Sequence, residues 1–145
     1  MSLEEMAMRG EIVSELATSG EIERHLASLQ KRLEDAARVE NHPETRLFQA
    51  YQAIFTCGWI ALRVEGWRAV KRPGQHVTVI ESMADTLGLD GNAIDTLLAL
   101  SRQRHADLYE ARPISVSEAD EGVSEAAGLA ERLRRWLEAR DVQDS

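Results

Sequence analysis

The amino-acid sequence predicts an all-α fold, an up-and-down bundle of five to six helices. The clearest sign is a stretch without charged side chains, residues 47–62, which is flanked by Arg46 and Arg63 and is typical of a helix buried on most sides. Other segments place apolar residues three and four positions apart, as amphipathic helices do, and none alternates as a strand does. With 145 residues, 43% of them hydrophobic, the chain can form one domain with its own core.

The N-terminal region is predicted to form a helix followed by a break. Met8, Ile12 and Leu16 are spaced by four residues, so residues 4–16 are expected to be helical. Small and polar residues then interrupt the pattern. The chain is therefore divided into three parts, an N-terminal helix or arm (1–18), a helical domain (19–140) and a frayed tail (141–145).

Capping and breaking residues define the helices of the domain. Ser19 is predicted to cap the second helix, and Pro43 is suited to be the first residue of the central helix, which Gly66 ends. Two further helices are expected at about residues 77–87 and 92–109, separated by a glycine-containing turn.

The last helix has the most regular pattern. Ser115 and Glu118 form a capping box at its start. Its apolar residues follow at alternating spacings of four and three, which predicts a packing seam. The seam consists of Ala119, Val123, Ala126, Ala130, Leu133 and Leu137.

The charge of the chain is negative overall but uneven. The formal net charge is −8 and the pI is about 5.0, which disfavours general binding of duplex DNA. Between Arg63 and His76, however, the net charge is +3. Such a local basic patch can bind a specific anion. We expect an anion-binding contribution from Arg68, Lys71, Arg72 and His76.

No cofactor or metal is expected. The four histidines are scattered without a ligand at metal-binding spacing, and no glycine-rich phosphate loop is present. Cys57 lies inside the apolar stretch and is interpreted as a core residue rather than a nucleophile. The central stretch is short for a membrane span and no signal peptide is evident, so the expected location is the cytoplasm, without membrane association.

The end of the fifth helix is the most unusual place in the sequence. At 100° per residue, Arg104 and His105 fall inside one apolar arc, and Arg102 lies close by in sequence. The apolar members of this arc are Leu97, Leu98, Leu108 and Tyr109. Charged side chains on a core-facing arc need partners. They could meet buried carboxylates, the arc could face solvent, or the two side chains could form an anion site at a subunit interface.

A helix-turn-helix is an alternative for the fourth and fifth helices. The apolar frame beginning at Ile80, with Gly88 in the turn, fits that motif. The face that would enter the DNA groove, however, carries Asp90 and Asp95, and these carboxylates would repel phosphates.

Several of these features occur together in one family. They are the long second helix, the central helix with Tyr51 and Trp59, the basic loop, and the run Arg104-His105-Ala106-Asp107-Leu108-Tyr109 at the end of the penultimate helix. From about residue 21 to 139 the chain resembles the HEPN family of helical domains. The motif of that family is an Arg, a polar residue, three arbitrary residues and a His. Arg104 takes the place of the Arg, His105 that of the polar residue, and Tyr109 stands where the His is expected.

The resemblance implies a homodimer and a role connected with RNA. Many HEPN proteins are dimeric, metal-independent ribonucleases, often toxins of toxin–antitoxin pairs, in which the Arg and His of the motif converge on an RNA phosphate. Since a phenol is a poor base at neutral pH, Tyr109 cannot replace the His, and only His105 or His76 could substitute.

We therefore expect a HEPN-like module that does not cleave, with RNA, a nucleotide or a partner protein as its ligand. A metal-independent endoribonuclease that uses Arg104 and His105 is the first alternative. A helix-turn-helix regulator or a plain structural bundle is the other.

Overall fold

The computed structural model describes residues 1–144, in which six helices and one two-stranded sheet form a helical bundle. In chain order the elements are α1 (Leu3–Met8), β1 (Ile12–Ser14), α2 (Ser19–Ala37), α3 (Pro43–Val64), β2 (Trp67–Ala69), α4 (Gln75–Thr86), α5 (Gly91–Glu110) and α6 (Val116–Asp144). The predicted all-α fold is confirmed. Helix α6 continues past the predicted domain end at Arg140, and Ser145 of the predicted tail lies outside the described residues.

Helix α3 is the centre of the bundle, as its uncharged sequence predicts. It packs against α2, α4, α5, α6 and β2, and most of its residues are buried. Gly58 allows the approach of α4, since a Cβ at this position would lie 2.8 Å from Cγ1 and 3.0 Å from the carbonyl oxygen of Val79. Within residues 1–144, no helix is long and apolar enough to cross a membrane.

The two arginines that flank the uncharged stretch are themselves buried. Arg46 donates from Nε to the carbonyl oxygen of Ala36 at 3.0 Å and forms an ion pair with Asp120 at 2.9 Å. It thereby joins the start of α3 to the end of α2 and to α6. Such a charge is stable in the interior only because it is paired and hydrogen-bonded.

Arg63 has a similar role near the other end of α3. Its guanidinium donates to both carboxylate oxygens of Glu21, to a carboxylate oxygen of Glu15, and to the main-chain oxygens of Glu15 and Trp67, at 2.6–3.2 Å. Its side chain is 2% exposed. Arg63, counted in sequence with the basic patch, is therefore a structural residue that joins α3 to α2, to β2 and to the residue that follows β1.

The prediction of a continuous N-terminal helix over residues 4–16 is wrong, as is the absence of strands. Helix α1 ends at Met8, and Gly10 has a positive φ of 73°, which breaks the helix. Ile12 then pairs with Ala69 in an antiparallel sheet and is buried, whereas Leu16 is 88% exposed. The four-residue spacing is misleading here because three-residue strands are too short to alternate visibly.

The helix starts follow the predicted capping chemistry with one shift. The capping box is confirmed, because the amide of Glu118 donates to the hydroxyl of Ser115 at 3.0 Å and the amide of Ser115 donates to the carboxylate of Glu118 at 3.2 Å. For α2 the cap is Thr18 rather than Ser19, and its hydroxyl accepts from the amide of Glu21 at 3.1 Å.

Candidate functional site

Arg104 lies against aromatic rings of α3 rather than against a carboxylate. Its guanidinium carbon is 4.9 Å from the ring centre of Phe48 and 5.2 Å from that of Tyr51, within the range of a cation–π interaction. Among the side chains that the structure describes, none forms an ion pair with Arg104. Its Nε is buried and has no hydrogen-bond partner. The charge is thus held in place but not neutralised.

Tyr51 connects this arginine to His76. The Tyr51 hydroxyl lies 3.0 Å from Nδ1 of His76, and the Ser101 hydroxyl donates to the Tyr51 oxygen at 3.5 Å. A neutral imidazole whose Nδ1 accepts from the phenol carries its proton on Nε2. Three elements, α3, α4 and α5, each supply one side chain to this chain of hydrogen bonds.

The cluster shifts the pKa of both its titratable rings. Burial lowers the pKa of His76 from its usual value near 6.5, and the positive charge of Arg104 lowers it further. Burial raises the pKa of Tyr51, although the hydrogen bond from Ser101 and the charge of Arg104 act in the opposite direction. At pH 7 His76 is therefore neutral and Tyr51 is protonated.

Four aromatic residues form a line along one side of α3, which we call the aromatic stripe: Phe48, Tyr51, Phe55 and Trp59. Their spacing of three, four and four residues keeps them on one helix face. The ring centre of Phe55 lies 4.9 Å from that of His76 and 6.0 Å from that of Trp59, whose ring it stacks on. The stripe thus continues from the Arg104 cluster without a gap.

A groove of about 360 Å³ opens at the far end of the aromatic stripe, between Phe55, Trp59 and the ring of His25. The His25 ring meets the Trp59 ring edge-on at 6.4 Å. Arg68 and Lys71 also line this groove, and no carboxylate does among the described residues. The absence of acid is notable in a chain with a net charge of −8.

The structure brings some of the predicted site residues together. Arg104 and His76 meet around Tyr51, and Lys71 lies further along the same stripe. Arg68 is also there, although its Nε donates to Glu15 at 2.8 Å.

The other predicted site residues lie elsewhere. Arg72 faces Glu11 at 3.9 Å. Arg102 is exposed and projects about 200° around α5 from Arg104. His105 is exposed as well, and its ring lies 4.5 Å from that of Tyr109.

The predicted core-facing arc of α5 is confirmed at Leu97, which is buried, and is wrong for its last two apolar members. Leu108 is 58% exposed and Tyr109 is 71% exposed. The last buried residue of α5 is Leu100, so the final turns of this helix extend past the body of the bundle. Arg104 is in contact with α3, and its partners there are aromatic rings rather than buried carboxylates.

The sequence does not mark the aromatic stripe as part of the site. The rings of the stripe recur at helical spacing, but this spacing is the same as that of the apolar residues of a core helix. Phe48, Phe55 and Trp59 are in fact only partly buried, whereas Tyr51 is buried. Sequence alone cannot separate a covered ring from an uncovered one on so apolar a helix.

Other reactive groups are unsuited to chemistry. Burial raises the pKa of the Cys57 thiol to about 12, so this cysteine is a core residue as predicted. Within the described part of the chain, no three His, Cys, Asp or Glu side chains come together in a way that could hold a metal ion.

The arrangement defines a class of protein, a helical bundle with an unneutralised cation beside a partly buried aromatic surface. Comparisons with models of protein families, with curated proteins and with solved structures found no match. The functional argument therefore depends on the site itself.

Proposed function

We propose that this protein is a non-catalytic, HEPN-like module that binds single-stranded RNA or a nucleotide along the aromatic stripe. In this proposal the guanidinium of Arg104 binds a phosphate, and Phe55 and Trp59 stack on bases. Lys71 contributes a second positive charge at the far end of the stripe.

The unpaired charge of Arg104 is the observation that carries the proposal. Seven of the fifteen arginines form ion pairs with described side chains: Arg46, Arg63, Arg68, Arg72, Arg112, Arg134 and Arg140. Among the described arginines without an ion pair, Arg104 is distinguished by a buried guanidinium nitrogen that has no hydrogen-bond partner. Arg104 is half-buried, and the described side chains that contact its guanidinium are the rings of Phe48 and Tyr51. A guanidinium is well suited to a phosphate, and because the Arg104 side chain is only partly buried, an anion at its exposed part would neutralise the charge.

The aromatic stripe favours a single strand over a duplex. Rings that alternate with positive charges are the usual means of binding single-stranded nucleic acid, and each stacked base contributes about 1–3 kcal/mol. In a duplex the base faces are already stacked on one another, and the overall acidity of the chain opposes a long phosphate contact.

A binding measurement with matched arginine variants tests this proposal. Labelled mixed-sequence RNA of about 12 nucleotides, within the span of one small domain, is titrated with the protein in EDTA and followed by fluorescence anisotropy. We expect Arg104→Ala to weaken binding at least about tenfold, which corresponds to about 1.4 kcal/mol. Arg102→Ala removes the same charge from the opposite side of α5 and should have little effect.

Three outcomes would contradict the proposal. Equal weakening by both variants would indicate a general effect of charge rather than a site. Unchanged RNA binding by Arg104→Ala, together with a lower melting temperature, would indicate that Arg104 only packs against α3 and does not bind the ligand. Equal competition by duplex DNA would favour the helix-turn-helix alternative, although Asp90 and Asp95 are exposed where that motif would meet the groove.

Cleavage of RNA is a second candidate function, and the position of His76 favours it. This ring has a lowered pKa and lies beside Tyr51, on which Arg104 stacks, so a base and a cation are present together. In such a reaction His76 would take the proton of the attacking ribose 2′-hydroxyl on Nε2, in the tautomer whose Nδ1 donates to the Tyr51 oxygen, while Arg104 stabilised the charge that develops on the phosphate. The 2′ oxygen would bond to phosphorus, and the 5′ oxygen would leave and take a proton from water. The pair would replace the Arg104–His105 pair expected from sequence.

The test of cleavage uses labelled RNA in EDTA with the wild type, His76→Ala and His42→Ala. His42 is exposed and its side chain makes no capping hydrogen bond, so it serves as the matched control. Cleavage that His76→Ala alone abolishes would make this protein an endoribonuclease. Cleavage by no preparation would leave the binding function.

A homodimer is part of the proposal. Leu108 and Tyr109 are exposed at the end of α5 and offer apolar surface for a second copy. Light scattering at high micromolar concentration should give twice the 16.2 kDa mass of the chain. A monomer mass at that concentration would remove the dimer from the proposal without affecting the RNA site.

A further inference from the structure

A long apolar groove between α2 and α6 is not used by the proposed RNA site. Its volume is about 690 Å³. On α6 it is lined by Val123, Ala130 and Leu137, each seven residues from the next, and on α2 by Leu26 and Leu33, also seven apart. All five side chains are packed at the edge of the core but only partly buried. Two helices thus present incompletely covered apolar lines to one groove.

The groove divides the predicted packing seam of α6 into two. Ala119, Ala126 and Leu133 are buried in the core, with Leu133 at the floor of the groove, whereas the alternate members of the seam line the groove and are only partly buried. A repeat of seven residues is the spacing at which one helix packs against another over several turns. The exposed half of the seam is therefore suited to a further helix.

The rim of the groove is acidic. Carboxylates of Glu34, Glu131, Glu138 and Asp141 line it, against a single cation, Arg134. This arginine is bonded to both Glu131 and Glu138, so it is already neutralised. A helix that binds here would be favoured by lysine or arginine beside its apolar face.

The same charges argue against a second copy of this chain as the occupant. If two copies paired groove to groove, the acidic rims would face one another, and like charges at an interface repel.

We propose that the groove between α2 and α6 binds an amphipathic helix of a partner protein, with apolar residues at heptad spacing and basic residues on both flanks. The stretch of α6 from Val123 to Leu137 is about 21 Å long, which matches about four turns of a bound helix. This is the helix-in-groove mode of peptide recognition. It does not depend on the RNA site, since none of its lining residues belongs to the aromatic stripe.

A designed peptide probes the groove directly. A fluorescein-labelled peptide of about 18 residues, long enough to be partly helical, carries leucine at the heptad core positions and lysine beside them. The full chain is titrated against it, and anisotropy is recorded. Two control peptides have the same leucines with glutamate in place of lysine, or the same composition scrambled. We expect the lysine peptide to bind at least about tenfold more tightly than either control.

Two alanine variants on α6 locate the binding. Ala127 and Ala139 are both exposed, but only Ala127 lines the groove. Ala127→Arg should weaken binding of the lysine peptide at least about tenfold, because it fills the groove and repels the basic flanks, whereas Ala139→Arg should not. Thermal unfolding of both variants checks that the fold is intact.

Equal binding of the lysine and glutamate peptides, or unchanged binding by Ala127→Arg, would overturn the proposal. A dimer of the wild type that Ala127→Arg dissociates would also overturn it, since the groove would then be an interface between copies. RNA binding by Ala127→Arg should equal that of the wild type, so the two proposals fail separately.

Discussion

Two arginines of α3 and one of α5 have different partners, and these partners decide what each arginine can do. Arg46 and Arg63 are paired with carboxylates and main-chain oxygens, so their charge is used within the fold. Arg104 meets only the faces of Phe48 and Tyr51, so its charge is available to a ligand. Composition alone cannot distinguish them, because all three are arginines beside an apolar helix.

Removal of Arg63 should cost much of the stability of the fold. Arg63→Met would leave two main-chain oxygens and the carboxylate of Glu21 without their donor. Losing one partner of a buried pair costs about 3–5 kcal/mol, and we expect the lower end because Glu21 is 24% exposed and regains water. Urea unfolding measures the change.

The control for this variant is Arg68→Met. Arg68 pairs with Glu15, but its side chain is 44% exposed. A surface pair of this kind contributes about 0–1 kcal/mol. Equal destabilisation by the two variants would show that the Arg63 network has no special role.

The same network should make the fold sensitive to acid. The hydrogen bond from Arg63 holds the pKa of Glu21 below its usual value of 4.5. Because the folded state favours the charged carboxylate, its contribution is complete above that value and is lost as the pH falls through the folded pKa. The free energy of unfolding should therefore decrease below about pH 4.5, and Glu21→Gln should reduce this dependence. A pH profile of Glu21→Gln identical to that of the wild type would contradict it.

At the scale of elements, two glycines should respond in opposite directions to alanine. Gly58 lies where α3 meets α4, and a Cβ there would come 3.0 Å from a main-chain oxygen that cannot move easily. Gly128 lies in α6, with nothing within 4 Å of an added Cβ.

We expect Gly58→Ala to lower the melting temperature and Gly128→Ala to raise it. The second substitution should stabilise the fold by about 0.5–1 kcal/mol, because alanine restricts the unfolded chain and favours the helix. Differential scanning calorimetry compares the two. A stabilised Gly58→Ala would mean that α4 can shift away from α3 at no cost.

The elements that the sequence predicted correctly are those that depend on local signals. Pro43 starts α3, and the Ser115–Glu118 capping box starts α6, because these signals act within one turn. The pairing of Ile12 with Ala69 has no local signal, and Arg63 and Glu21 are 42 residues apart in sequence. Such contacts are set by how the helices pack.

The candidate site was predictable in the same partial way. Helix periodicity places Arg104 on the inner side of α5, and composition indicates the basic loop. The sequence therefore predicts Arg104, His76 and Lys71 as site residues. The partners of Arg104 are not predictable, because a face of Tyr51 and a carboxylate satisfy the same periodicity. The exposure of Leu108 and Tyr109 is not predictable, because the sequence does not show at which residue of α5 the contact with the bundle ends.

At the scale of the whole molecule, the proposed binding of RNA should depend only weakly on salt concentration. The chain carries −8, and the stripe offers only Arg104 and Lys71 as cations without an ion pair among the described side chains. Each phosphate contact to a single strand contributes a slope of about −0.7 in a plot of log K against log salt. We expect a total slope between about −0.7 and −1.4.

The two lysines of the chain provide the control for this measurement. Lys71→Glu should weaken binding and flatten the slope, whereas Lys31→Glu makes the same change of charge on the exposed surface of α2. A slope several times steeper, or equal effects of both variants, would show that the phosphates lie along another surface.

The structure around the groove beside Trp59 depends on the N-terminal residues, because these residues form a small second core there. Met6 and Ile12 cover Leu62 and Val79 there, apart from the main core of the bundle. Cooperative units of this size open more often than the body of a domain. Each opening of α1 and β1 would also separate Glu15 from Arg68, which lines the groove beside Trp59. Local opening at this end would thus leave Arg68 without its ion pair, while Arg104 stays in place over Tyr51.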